Sequence, residues 1–177
     1  MKVRDIAAAI ESFAPLRLQE SYDNSGLIVG RMDDEVHGVL LAVDVTEEVL
    51  DEAEREGCDM IITHHPIVFH PMKRFNSSSV VERCVEQAIR NNIALYACHT
   101  NLDAAQGGMS WRVGEMLGLQ DMQVLQPTVD GAGFGVVGTL SQPMAECDFL
   151  ARVKQTFSVE ALRHSALLGH EVKRVAI

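Results

Sequence analysis

Two adjacent histidines, His64 and His65, end the short apolar run Met60-Ile61-Ile62-Thr63, and Pro66 follows at once. A second apolar run, Ile93 to Cys98, ends in His99-Thr100-Asn101-Leu102-Asp103. Imidazole nitrogen with carboxylate oxygen suits zinc, manganese, iron or nickel, whereas calcium takes all-oxygen surroundings. Two apolar strands that each stop at such donors make a metal site the leading reading. Neighbouring residues of a strand point to opposite faces. His64 and His65 therefore converge on one ion only if the strand has ended, which Pro66 favours by breaking regular pairing. Otherwise they point apart and serve two ions. The bland alternative is a pair of hydrogen-bonded histidines at a strand end. Asp103, closing the second run, tips the balance towards a metal, because a carboxylate there can bridge two ions and support hydrolytic or cyclohydrolase chemistry.

Three further groups lie close to this pattern. His99 is read as a hydrogen-bonding partner behind a ligand, with direct ligation and proton transfer as its other possible roles. Lys73 and Arg74, in the loop from Ile67 to Phe75, are candidates for holding an anionic substrate, although most basic pairs of this kind are simply solvated. Cys98 adjoins His99 but is read as a packed spacer, the usual behaviour of a free cysteine among apolar neighbours. The other cysteines, Cys58, Cys84 and Cys147, are scattered and form no C-x-x-C pair. That pattern fits a reducing compartment.

Carrying these groups requires a parallel sheet. Val39 to Val43 reads as a strand covered on both faces and ends at Asp44. A helix follows, with Thr46 as its N-cap, Glu47 and Glu48 at its positive end and Gly57 as its stop. The strand to His64 comes next, completing a crossover. Ser79-x-x-Glu82 reads as a capping box opening a second helix, which Asn91-Asn92 ends before the strand Ile93 to Cys98. The expected fold is α/β, with a mixed, largely parallel core sheet and helices on both faces. Its central strands are Val39–Val43, Met60–Thr63 and Ile93–Cys98.

Ahead of this core, Val3, Ile6, Ile10 and Phe13 share a helical face closed by Pro15. Tyr22 to Gly30 is a polar turn leading into a short strand, and the turn is either structural or part of the site's lining. Beyond it, a helical stretch carries Met109, Val113, Met116 and Leu117 as its apolar positions. Phe134 to Leu140 reads as a bulged or edge strand, Phe149, Leu150, Val153 and Phe157 as a helical stripe, and Val172 to Ile177 as a strand.

At 177 residues the chain is sized for one domain, or for two small lobes sharing a core. Its net charge of −10 would repel phosphate backbones, so nucleic acid is not expected as a partner. No apolar run approaches the length of a membrane span, and Met1 leads into an amphipathic helix, so a cytoplasmic location is expected.

Several stretches, in order, resemble the NIF-three-like dinuclear-metal-centre family, whose bacterial members are commonly called GTP cyclohydrolase I type 2 homologues. They are YDNSGLIVG (Tyr22–Gly30), LLAVDVT (Leu40–Thr46), IITHHP (Ile61–Pro66) and HTNLDAAQGG (His99–Gly108), with GFGVVGTL (Gly133–Leu140) and VKRVAI (Val172–Ile177) further on. The resemblance implies that residues 1–177 belong to one such domain. It also implies that His64, His65 and Asp103 are metal ligands, with Asp103 bridging up to two divalent ions. A ring-shaped homo-oligomer, often a hexamer, and hydrolysis of a nucleotide-like small molecule are implied as well; a non-catalytic metal-binding or assembly role is the alternative. Family members complete their site with a further His and Glu near the carboxyl end. Nothing after Asp103 resembles that pair, since His164 and His170-Glu171 precede VKRVAI, and Ser110 stands where the family usually has asparagine. The chain therefore resembles the amino-terminal portion of such a protein, with an incomplete site.

Overall fold

The structure, a computed structural model, describes residues 1–129 and 131–177. The chain forms two compact units, Met1–Ala105 and Gln106–Ile177. In the first, the strands β1 (Gly26–Val29), β2 (Val39–Ala42), β3 (Met60–Thr63) and β4 (Ala94–Ala97) make one sheet in the order β1-β4-β3-β2. β2, β3 and β4 are parallel, and β1 is antiparallel to β4 at one edge. β2, expected as a central strand covered on both faces, is the other edge strand. Leu41 and Val43 are largely in solvent because, among the described residues, no helix covers that face of it.

Alternation along the strands explains why helices cover both faces. Met60 packs with Ala94, Tyr96, Val3 and Ala7, which places helix α1 (Val3–Phe13) on one face. Ile61 and Leu95, one residue out of phase, pack with Leu50, Ala53, Cys84 and Ala88 on the other. Those last four belong to α2 (Glu47–Glu56) and α3 (Val80–Arg90).

The crossover helices start and stop where their sequence signals lie. The Thr46 side chain accepts the Val49 N–H, and Gly57 closes α2 with φ 69°, a conformation that costs glycine little. Ser79 caps α3 through the Glu82 N–H, but the box is only half formed. The Glu82 carboxylate instead accepts the backbone N–H groups of Asn76 and Ser78, at 3.1 and 2.9 Å, and so braces the preceding loop. Phe13, Val80 and Ile89 fit the apolar period of their helices yet are exposed, because they lie at the flanks of stripes whose centres are filled by Ala7, Cys84 and Ala88.

The second unit holds α5 (Met109–Met116), β5 (Leu119–Pro127), β6 (Gly133–Ala145), α6 (Glu146–Thr156) and β7 (Glu171–Ala176). Its three strands are antiparallel in the order β5-β6-β7. The glycine-rich stretch expected as a bulged or edge strand is bulged, with a register shift between Thr139 and Met144, but it is the central strand. β5 was not apparent from the sequence, since Gln120, Asp121, Gln123 and Gln126 give it an outward face too polar to read as a strand core. Leu117, Leu119 and Leu140 form this unit's core, whereas Met109, Met116 and Phe157 are exposed. Among the described residues, no helix is long and apolar enough to cross a membrane.

Ile61 is fully buried between the sheet and the α2/α3 pair, whereas Ile89 lies largely in solvent. Ile61→Ala should therefore cost about 3 kcal/mol and Ile89→Ala less than about 0.5 kcal/mol, read from urea unfolding midpoints. Equal losses would contradict this assignment of the core.

Candidate metal centre

Because β2, β3 and β4 are parallel, their carboxyl ends share one edge of the sheet, where open α/β sheets place ligands. Asp44 follows β2 by two residues, His64 and His65 follow β3 directly, and His99 follows β4 by two. β3 stops at Thr63, whose hydroxyl donates to the His65 carbonyl at 2.9 Å and turns the chain. The His65 N–H reaches back to the Val43 carbonyl at 3.0 Å. The two histidines therefore lie beyond the regular strand, and their rings converge, with centroids 4.9 Å apart.

His99 completes the group. It is the N-cap residue of α4 (Thr100–Ala104), and its ring lies 5.2 Å from that of His64 and 5.6 Å from that of His65. One ligating atom from each of the three histidines falls within 4.8 Å of the other two. His99, expected behind His64 and His65, thus lies beside them in one cluster. Asp103, on α4, is at the margin, with a carboxylate oxygen 3.8 Å from His64 Nε2. That distance is beyond a hydrogen bond.

Each of the three rings is held by its Nδ1. His64 Nδ1 is 2.9 Å from the Cys98 carbonyl, His65 Nδ1 is 2.7 Å from Asp44, and His99 Nδ1 is 2.8 Å from Asp23. Carbonyl and carboxylate oxygens only accept, so each Nδ1 must carry the proton. In a neutral ring, that leaves the Nε2 lone pair free. This tautomer is the one a metal-binding histidine uses when a carboxylate or carbonyl stands behind it. The residues present therefore fit a divalent transition metal: three imidazole donors plus one nearby carboxylate match the ligand types and number of a zinc-like site.

Asp23 is the most constrained of the three acceptors. Its side chain is 0% exposed, and it accepts from His99 Nδ1, the Thr100 hydroxyl and N–H, the Asn24 N–H and the Ser25 hydroxyl. Burial on its own would raise the pKa of this carboxyl. The hydrogen bonds from His99 and Thr100, with those from the Asn24 and Thr100 backbone, outweigh burial and hold it at about 2. It is therefore an obligate acceptor at neutral pH. The Tyr22–Gly30 stretch thus serves both roles left open for it, as a structural turn and as a wall of the site. Asp23 could have been suspected from sequence only as a carboxylate just ahead of a strand. What makes it a partner of His99 is the β1–β4 pairing, a long-range contact.

The remaining candidates lie elsewhere. Burial, assisted by the Glu11 charge, pushes the Cys98 thiol up to about 11, and the side chain packs with Met60, Ala94 and Tyr96, as expected of a buried spacer. Lys73 and Arg74 line a cavity of about 480 Å³ with Phe69, His70 and Met72, and that cavity includes none of the three clustered histidines. Phe69 links the two regions, its ring lying 6.2 Å from that of His99.

A parallel α/β sheet with a histidine cluster at its carboxyl edge defines the class, an α/β protein with a candidate metal site. The sequence matches Duf34/NIF3 (NGG1p interacting factor 3) over residues 1–177, and the chain belongs to that family. Proteins of Clostridium acetobutylicum and Clostridium perfringens, each named GTP cyclohydrolase 1 type 2 homolog, are 37% and 35% identical to it over 99% and 100% of its length. The chain spans 65% and 68% of the length of those two relatives. A Bacillus cereus protein related to NIF3 superposes with a TM-score of 0.90 at 25% identity, over 99% of this chain and 76% of that one. Reduced HcgD from Methanocaldococcus jannaschii superposes with a TM-score of 0.76 at 34% identity, over 88% of this chain and 60% of that one.

A carboxyl held below its ordinary value of about 4 contributes stability that is complete above that value and is lost as pH falls towards the folded value. For Asp23 the window runs from about pH 4 down to about 2, and the contribution is about 2 kcal/mol. Asp23→Asn should flatten the acid limb of the stability–pH curve by about that amount, measured by urea unfolding between pH 2.5 and 6. A variant curve parallel to that of the parent chain would show that Asp23 is not held in this way.

Proposed function

We propose that the histidine cluster binds a divalent transition metal ion and that the protein is a metal-dependent hydrolase of the cyclohydrolase type, acting on a small nucleotide-like substrate. The observation that carries this reading is the Nδ1 pattern: three imidazoles with one ligating atom each within 4.8 Å of the others, and each with its Nδ1 engaged by a different acceptor. In this reading His64, His65 and His99 hold the ion through Nε2, and Asp103 supplies the negative charge beside it. An ion of this kind supplies Lewis acidity for attack by water on a polarised carbon. The chain's own part is orientation. Asp44, Asp23 and the Cys98 carbonyl fix the rings, and Lys73 and Arg74 offer positive charge to an anionic group of the substrate. The name carried by the clostridial relatives supports the reaction class, and the substrate is this reading's extension of it.

A second reading, a metal-binding protein without turnover, is favoured by one observation. Among the described residues, Asp103 is the only carboxylate within 4.0 Å of an Nε2 of the cluster, and at 3.8 Å it is not hydrogen-bonded there. Three imidazoles and one carboxylate satisfy a single four-coordinate ion, whereas two ions ask for four to six donors each.

The 177-residue chain loaded with zinc or manganese should therefore retain one ion per chain after gel filtration and lose it to a chelator, as read by elemental analysis. His65→Ala should weaken retention at least about tenfold, and Asp44→Asn by a smaller factor within the range of about 10–100-fold seen when the groups behind ligands are removed. Turnover of purine nucleotides with added metal, abolished in His65→Ala, would favour the hydrolase. Metal binding without turnover would favour the second reading. Full metal retention in His65→Ala would exclude both.

A further inference from the structure

Aromatic side chains are scarce in this protein, with one Trp, two Tyr and six Phe, yet two of them stand in solvent beside the histidine cluster. Tyr22 is 65% exposed and Phe69 is 39% exposed. They meet edge to face, with ring centroids 6.4 Å apart. Phe69 also presents an edge-to-face contact to His99 at 6.2 Å and to His70 at 5.2 Å. The two loops that carry the pair are tied together, because the Asn24 side-chain amide donates to the Val68 carbonyl at 2.7 Å. The neighbour of Tyr22, Asp23, is the buried carboxylate that holds His99. The two loops that present this aromatic pair are therefore held together before any ligand arrives.

On its other flank Phe69 lines the cavity of about 480 Å³ that also contains His70, Lys73 and Arg74. Both basic residues are exposed, and among the described residues neither has an ion-pair or hydrogen-bond partner. The acid lining that cavity, Glu82, is occupied by Ser78 and the Asn76 N–H. In a chain with a net charge of −10, a small region of unpaired positive charge next to exposed rings is complementary to an anion rather than to another acidic surface. The volume suits a small molecule, and a few placed polar groups beside aromatic walls are the usual makeup of such a site.

We propose that Tyr22 and Phe69 form a stacking wall for a planar aromatic ring, with the anionic group of the same ligand held by Lys73 and Arg74. This deepens the hydrolase reading, on which it rests for its relevance to catalysis, by naming the groups that select the substrate. Edge-to-face and offset stacking favour a ring with a π face over a saturated ring of equal size, because the quadrupole contact adds to simple apolar burial. A phosphate is the simplest group that the basic pair would accept, with Arg74 able to engage it through two N–H donors.

The test compares three probes on the zinc-loaded chain by calorimetry and ligand-observed NMR: phenyl phosphate, cyclohexyl phosphate and inorganic phosphate. Phenyl phosphate should bind roughly three- to tenfold more tightly than cyclohexyl phosphate, the range expected for an aromatic contact. Phe69→Leu and Tyr22→Leu, which keep apolar bulk, should each reduce that preference, and the double variant should remove it. Lys73→Ala should weaken both organic phosphates alike and leave their ratio unchanged. Equal affinity for the aromatic and saturated probes, or an unchanged ratio in the double variant, would overturn the proposal, as would the absence of binding by any probe. Zinc content is measured in parallel. Zinc retained without ring preference would sink this inference and leave the metal reading intact. Ring preference in a chain that holds no zinc would do the reverse.

Discussion

The hydrogen bonds at Nδ1 of His64, His65 and His99 are the constraint on which the site depends. A neutral imidazole has one donor and one acceptor nitrogen, and which is which is set by the partner it meets. Here the partners are a backbone carbonyl and two carboxylates, none of which can donate. The three lone pairs are thereby left on Nε2, and one ring nitrogen from each of the three histidines lies within 4.8 Å of the other two. A ring free to flip would present either nitrogen and lose orientation entropy on binding. These rings have little of that freedom left to lose.

The parallel sheet is what brings the acceptors into position. Asp44 comes from the end of β2, the Cys98 carbonyl from just past β4, and Asp23 from the turn before β1. The Asp23 carboxylate is the costly member, since a buried charge must be compensated by hydrogen bonds. It is supplied by a ring N–H, two hydroxyls and two backbone N–H groups. Thr100 contributes two of these while its hydroxyl also accepts the Glu20 N–H at 3.0 Å, so the turn, the start of α4 and His99 form one hydrogen-bonded unit. Displacing that unit would move a ring of the cluster, the nearby Tyr22 and the Phe69 loop together.

The parallel core was legible in the sequence because its signals are local. Continuous apolar runs marked β2, β3 and β4, and Thr46, Gly57 and Ser79 marked the helix ends. Pro66 after two histidines foretold that β3 had ended, and the convergence of the rings follows from that. What escaped the sequence was non-local or masked by polarity. The partnership of Asp23 with His99 spans 76 residues and depends on the pairing of β1 with β4. The place of the His99 ring among the other two, rather than behind them, depends on the turn into α4. β5 alternates buried and exposed positions too irregularly, with glutamines on its open face, for period alone to mark it. Residue type, strand-end placement and the family resemblance all pointed to His64, His65 and Asp103, and Asp44 was visible at a strand end, but none of them showed which acceptor orients which ring.

The most direct measurement is the long-range proton–nitrogen NMR spectrum of the histidine rings, recorded on the metal-free chain with ¹⁵N-labelled histidine above the ordinary imidazole pKa of about 6.5. In that spectrum the shifts of the two ring nitrogens separate the Nδ1–H and Nε2–H tautomers. The account predicts the Nδ1–H tautomer for His64, His65 and His99, each with an unprotonated Nε2 whose resonance moves when zinc is added. An Nε2–H tautomer at any of the three, or rapid averaging between tautomers, would contradict it.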